Sequence, residues 1–284
     1  MLQPMQIQAR AKINWSLSVV GKRWDGYHLL DGVMQPIALH DTLIIRPAEA
    51  LSLTIDGAPG LSPGADNLIL KAARALLSAA RVTDGAQITL QKRIPMGAGL
   101  GGGSADCAAA LKGLNAFWGL NFTDAELLSI GVALGADVPF CLTDAPCRAQ
   151  GIGEVLTPLS CGRTFPLVLI QPCEALATKD VFAAYHQARI AAPDTAGAIA
   201  ALAAGDLAAM GRCAGNALES ASIPLRPAIQ EAKDVLRRHG AAFAQMTGSG
   251  SVVFGAFETA AAAQDAWNAL RGRYSVCLLT ETAV

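Results

Sequence analysis

Five of the seven positions from 97 to 103 are glycine, inside PMGAGLGGGSADC, and an alanine- and leucine-rich run follows at once. A backbone without side chains can wrap closely round an anion with its N–H groups turned inward, and the positive end of a following helix adds to the field. This spacing therefore points to a phosphate cradle. Two familiar cradles fail on chemistry. Gly97-Ala98-Gly99-Leu100-Gly101-Gly102 satisfies G-x-G-x-x-G. A dinucleotide unit also needs its helix to return to a parallel strand ending in an acidic residue about 20 positions on, whereas this helix leads through WGLNF into a second helix. Gly97 to Ser104 fits G-x-x-x-x-G-K-[ST], except that Gly103 stands where the lysine that reaches the outer phosphates belongs. A phosphate cradle of a third kind remains, with a flexible surface loop as the alternative.

Phosphoryl transfer asks for charge neutralisation, an aligned acceptor hydroxyl and a destination for its proton. Asp137 follows a helix end at Leu134-Gly135-Ala136 and precedes Val138-Pro139, a tight junction that suits a general base. An Asp capping a turn is the alternative. Lys12 lies in an alternating strand where Ala11 and Ile13 face the other way, and a lone cation there needs an anionic partner, a need that Asp137 would meet. A solvated strand-edge lysine is the other reading. Asn14, two residues on, shares the face of Lys12 and would position either that lysine or the acceptor. Asp25-Gly26 is a turn signal, and Tyr27-His28 after it reads on its own as a strand start. Thr247-Gly248-Ser249-Gly250-Ser251 reads by spacing as a hairpin turn, and Phe182 as a core-facing helical aromatic. The seven cysteines contain no C-x-x-C pair, and with His28, His40, His186 and His239 they make no pattern of metal ligands.

These residues must be held by a mixed set of elements. MQIQARAKINWSLSVVG alternates as a long half-buried strand, and GVMQPIALH, DTLIIRP and LSLTID follow as further strands. Residues 67–81 have helical period, AQITLQKRI is a strand leading into the glycines, and a helix runs from about Ser104 to Phe117. Thr123-Asp124-Ala125-Glu126 is a capping-box pattern that opens the next helix. GADVPFCLT and CRAQGIGEVL read as strands. After PLSCGRTFP come a strand LVLIQP, several alanine-rich helices, a hairpin AFAQMTGSGSVVFGAF, a helix and a last strand YSVCLLTE. Several strands precede the first helix, so the fold class is α+β and not doubly wound α/β.

A chain of 284 residues is long enough for two domains, and the change of texture near residue 160 divides it into 1–160 and 161–284. The net charge of -1 gives no global electrostatic reason to expect nucleic acid or an anionic membrane as partner. MLQPMQIQARAK lacks the apolar core of a signal peptide, and the widely spread cysteines read as thiols in a reducing compartment, so a soluble, cytoplasmic protein is expected.

The run P-M-G-A-G-L-G-G-G-S-A before an alanine-rich helix resembles the nucleotide loop of the galactokinase, homoserine kinase, mevalonate kinase and phosphomevalonate kinase superfamily. AKINWSLSVVGKRWDGYHLL, LGADVPFCL and MTGSGSVVF extend the resemblance over nearly the whole chain. D-G-Y-H directs it to the branch of the non-mevalonate isoprenoid pathway whose acceptor alcohol carries a cytidine diphosphate group. The resemblance implies a two-domain α+β fold with the active site in the cleft between domains, an N-terminal nucleotide-binding domain and a C-terminal domain completing the substrate site. It implies an ATP-dependent small-molecule kinase that takes Mg2+ with ATP and works as a monomer or weak homodimer. Lys12 and Asp137 become catalytic. Pro95, Met96, Gly97, Ala98, Gly99, Leu100, Gly101, Gly102, Gly103, Ser104 and Ala105 become ATP contacts, with Asn67 and Lys92 on the adenosine side. Asn14, Tyr27, His28, Thr178, Phe182, Gly248, Ser249 and Gly250 become acceptor contacts, cytosine lying between Tyr27 and Phe182 with His28 at its edge. Ala105 stands where the family often carries a second serine, which removes one hydroxyl. Another kinase of the superfamily, a non-enzymatic nucleotide sensor and an NAD oxidoreductase are the competing classes.

Overall fold

The alternation at the N-terminus does form a strand, β1 (Met5–Lys22), but from Ala11 to Val19 it is buried without a break. The half-buried reading is corrected there: the polar set Lys12, Asn14, Ser16 and Ser18 is buried as thoroughly as the apolar set opposite it. The computed structural model describes residues 3–185 and 192–283. The chain falls into two units, one of Met1–Ala11, Leu39–Ile94 and Gly101–Asp144, the other of Lys12–Ala38, Pro95–Leu100 and Ala145–Val284. β1 and β2 (His28–Arg46) thread both; β2 is one strand where two were expected.

In the first unit, β3 (Ser52–Asp56) runs parallel to β4 (Gln87–Gln91), which pairs antiparallel with the end of β2, Thr42 opposite Gln91. Leu43, Ile45, Leu53, Ile88 and Leu90 alternate along these strands and are buried. Helix α1 (Leu68–Ala80) is closed by local chemistry at both ends: the Asn67 side chain accepts from the Ile69 N–H, and Arg81 ends it in the left-handed region. Helix α2 (Gly102–Trp118) lies on the sheet at Gly113, where a Cβ would stand 2.9 Å from Ile45. Thr123 and Glu126 form the expected capping box of α3 (Asp124–Leu134). The expected strand GADVPFCLT is instead helix α4 (Val138–Thr143). Pro139 sits in its first turn, where a missing N–H costs nothing and the fixed φ suits a helix, and Val138, Phe140 and Leu142 are its buried face.

In the second unit, β5 (Cys147–Gly151) and β6 (Val155–Pro158) form a hairpin beside the start of β2, Leu30 opposite Gly151. A four-stranded antiparallel sheet has the order β11-β7-β10-β9, from β7 (Pro166–Gln171), β9 (Phe243–Met246), β10 (Val253–Ala256) and β11 (Val276–Glu281). Strand β8 (Gly215–Asn216) pairs parallel with β1 at Ser16 and Leu17. The helices are α5 (Thr178–Ala184), α6 (Thr195–Ala204), α7 (Leu207–Cys213), α8 (Glu219–Leu225), α9 (Ala228–Arg238) and α10 (Ala260–Leu270). Trp15 anchors the core, edge-on to Phe165 and Phe254 with centroids 5.5 Å from each. Ile229, Ala232 and Leu236 of α9 are buried in the same unit. Among the described residues no helix is long and apolar enough to cross a membrane.

Candidate active site

Lys12 and Asn14 project from the same face of β1, and the Lys12 Nζ donates to Asn14 Oδ1 at 2.8 Å. Both are 4% exposed, so the solvated-lysine reading falls. Asn14 Oδ1 also accepts from the Gly248 N–H at 3.1 Å, and the Asn14 N–H donates to Thr247 Oγ1 at 3.2 Å. The amide thus ties the lysine to the second glycine-rich turn. That turn lies against the glycine loop. The Val252 N–H donates to Ala98 O at 3.2 Å and the Lys12 N–H to Leu100 O at 3.0 Å. Gly99 has φ 77°, and a Cβ on it would meet Thr247 O at 2.2 Å, so no larger residue fits. Thr178 Oγ1 and Ser249 Oγ are 2.9 Å apart, which brings the start of α5 to the same turn.

The second unit also gathers an aromatic group. The rings of His28 and Phe182 stack with centroids 4.8 Å apart, and Tyr185 meets His28 edge-on at 6.2 Å. Tyr27, next in the chain, is 60% exposed. Burial, and then the charge of Lys22, hold the His28 pKa below its usual 6.5, which favours the neutral imidazole. His186 lies outside the described residues.

In the first unit, α2 opens with Gly101 in the left-handed region (φ 70°), with no side-chain cap and no acidic residue in its first turn. Its leading N–H groups are left for an anion. Gly103 is exposed, and a Cβ there would come no nearer to its neighbours than 3.7 Å, from Leu68. Ser104 follows, its Oγ 3.9 Å from where a Cβ of Gly135 would stand. Asp137 occupies the junction of α3 and α4, half-buried, and makes no side-chain cap hydrogen bond to α4. Asn67, expected near adenosine, caps α1 and donates through Nδ2 to Ser62 O at 2.9 Å. Lys92, expected there too, is buried with its ammonium between Asp41 and Asp106, 2.6 Å from each.

Within the first unit, the uncapped N–H groups and side-chain-free glycines at the start of α2 suit a phosphate group. Among the described residues no three His, Cys, Asp or Glu side chains gather as a metal site. Sequence reasoning read Thr247 only as part of a turn, and it missed Asn216, whose Nδ2 donates to Met246 O and Gly248 O at 2.9 and 2.7 Å. It also missed Glu219, which takes the Met246 N–H and pairs with Lys233.

The GHMP kinases N terminal domain family model matches residues 67–144, and the GHMP kinases C terminal model matches 198–276. The chain is 44% identical over 250 residues to a 4-diphosphocytidyl-2-C-methyl-D-erythritol kinase of Pelotomaculum thermopropionicum, 87% of each chain. It is 38% identical over 283 residues to the enzyme of that name from Acetivibrio thermocellus, 99% of this chain and 100% of the other. Among solved structures it resembles a 4-(cytidine 5'-diphospho)-2C-methyl-D-erythritol kinase, with TM-score 0.86, 34% identity and coverage of 99% and 100%. A mevalonate kinase of L. major, at 17% identity, TM-score 0.73 and coverage of 99% and 98%, shares the fold.

Proposed function

The chain belongs to the 4-diphosphocytidyl-2-C-methyl-D-erythritol kinases, within the GHMP kinases, and we propose that it transfers the γ-phosphoryl group of ATP to the 2-hydroxyl of 4-diphosphocytidyl-2-C-methyl-D-erythritol. That is a step of the non-mevalonate route to isoprenoid precursors. The observation that carries the reading is the buried Lys12–Asn14 pair, bonded through Asn14 to the Thr247–Gly248 turn and through the Lys12 N–H to the glycine loop.

In this reading residues 1–160 serve the nucleotide and 161–284 complete the acceptor site. The glycines of the loop hold the ATP phosphates through backbone N–H groups, and Pro95, Met96, Ala98, Leu100 and Ala105 shape the loop around them. Asn67 keeps the start of α1 in place for the adenosine. The Ser104 hydroxyl would meet Mg2+ carried with ATP, which would supply charge neutralisation at the phosphates. Asp137 takes the proton of the attacking hydroxyl. Lys12, its ammonium oriented by Asn14, neutralises charge as the phosphoryl group moves.

At the acceptor end, Tyr27 and Phe182 stack on cytosine. A neutral His28 can offer either its N–H donor or its bare nitrogen acceptor to the base edge. Thr178, Gly248, Ser249 and Gly250 hold the diphosphate. The enzyme acts in the cytoplasm as a monomer or weak homodimer, without nucleic acid. A coupled ADP-release assay over a panel of acceptors tests the assignment: turnover should require the cytidine-bearing alcohol. Phosphorylation of mevalonate or homoserine at the same rate would remove the narrow assignment and leave only a GHMP kinase.

A further inference from the structure

We propose that Asp41, Lys92 and Asp106 form a clamp on the two ends of the glycine segment, and that Asp106 is thereby a positioning residue for ATP; this rests on the kinase reading above. Lys92 stands immediately after β4, and its Nζ donates to Asp41 Oδ2 and to Asp106 Oδ2, each at 2.6 Å. The three side chains are 5% exposed or less. Asp41 Oδ1 also accepts the N–H groups of Arg93 and Ile94, the latter at 2.8 Å. It therefore holds the chain just before Pro95. Asp106 is the fifth residue of α2, so its carboxylate holds the helix just after Gly101. Gly102 makes room for the joint: a Cβ there would stand 3.1 Å from Lys92 Nζ. Segments 92–94 and 102–106 are thus tied through one ammonium, and the glycines run between them.

Stability alone does not account for this arrangement. One carboxylate would already balance the lysine, and a buried ion pair returns little net energy after desolvation. Here a second carboxylate is buried as well, and its Oδ1 has no hydrogen-bond partner among the described residues. An unpaired buried oxygen carries a cost. What the second carboxylate adds is a fixed distance between the end of β4 and the first turns of α2. Backbone N–H groups that cradle a phosphate need such a fixed distance, because a misplacement of about 1 Å can cost on the order of 100-fold in rate.

The test compares wild type, Asp106→Ala and Asp106→Asn by steady-state kinetics and thermal unfolding. Asp106→Ala leaves Asp41 and Lys92 as a balanced pair, so the fold should persist. Its KM for ATP should rise by about tenfold or more, with the KM for the cytidyl acceptor unchanged. Asp106→Asn keeps an acceptor for Lys92 and should restore the ATP KM to near the wild-type value. If Asp106→Ala fails to fold, Asp106→Ser, too short to reach Lys92, gives the same comparison. A folded variant with lowered Tm and an unchanged ATP KM would overturn the clamp alone. Wild-type protein that binds no ATP would overturn the kinase reading and the clamp together.

Discussion

The imidazole of His28 covers one face of Phe182, with centroids 4.8 Å apart and ring planes 20° from parallel. A base stacked on Phe182 therefore takes its other face or displaces the imidazole. Burial is the larger cause of the lowered His28 pKa, and Phe182 supplies part of that burial. Phe182→Ala should move the His28 pKa up toward 6.5, as read by an NMR titration of the imidazole. The same variant should raise the acceptor KM in proportion to about 1–3 kcal/mol of lost stacking, and leave the ATP KM in place. An unchanged acceptor KM would return Phe182 to the role of packing alone.

His28→Ala addresses recognition and not only affinity. A site built to hydrogen-bond a base edge rejects the wrong edge because its polar group is left unpaired. Without the imidazole, the ratio of kcat/KM for the cytidyl acceptor over its uridyl analogue should collapse toward one. Full discrimination in this variant would mean that the base is read elsewhere.

Asp137→Asn should lower kcat by about 10²–10⁴, the usual cost of a lost general base. ATP affinity should hold, because the loop contacts proposed for the phosphates are backbone N–H groups. Single-turnover rates with isothermal titration of ATP separate the two effects. A kcat near the wild-type value would assign Asp137 to the α3–α4 junction and nothing more.

Gly103→Ala separates the cradle from the turn more cleanly than changes at Gly99 or Gly101, whose positive φ makes any side chain strained. At Gly103 the protein itself has room, with Leu68 the nearest contact at 3.7 Å. Alanine is also the better helix former, so Tm should hold or rise. ATP affinity should nevertheless fall, because the methyl group occupies the side on which phosphate approaches. A stable variant with undiminished ATP binding would show that phosphate does not reach Gly103.

The legible parts of the molecule are those with local causes. The capping box at Thr123, the glycine loop before α2, and the shared face of Lys12 and Asn14 all follow from spacings of a few residues. Helix α4 was hidden because Val138-Pro139-Phe140 reads as an apolar strand until Pro139 is seen in a first helical turn. Burial of both faces of β1 depends on what other elements cover, which alternation along one strand does not reveal. The partners of Lys92 were hidden for a similar reason: they are 51 and 14 residues away. One signal was available, an acid at Asp106 inside the small apolar run ADCAAA, where a solvated residue has no place.

Asp106 also sets a pH dependence whose sign can be derived. Burial pushes its carboxyl from 3.8 up to about 7; the Lys92 ammonium pulls it down and the neighbouring Asp41 pushes it further up. Cys107, next along α2, is itself pushed up to about 12 and stays protonated through this range. Because the folded state holds the Asp106 proton more tightly than the unfolded chain does, folded protein binds more protons between the two pKa values. Stability from this group is therefore full below about pH 4 and is lost as pH rises toward about 7, with no further loss above. Asparagine does not titrate. The Tm of Asp106→Asn minus that of wild type should accordingly grow from about pH 5 to about pH 7 and then level off. Thermal unfolding across that range measures it. A difference that stayed constant across that range would mean that the folded carboxyl is not raised, because its pKa either matches the unfolded value or is held lower by Lys92, where the linked change falls below about pH 4.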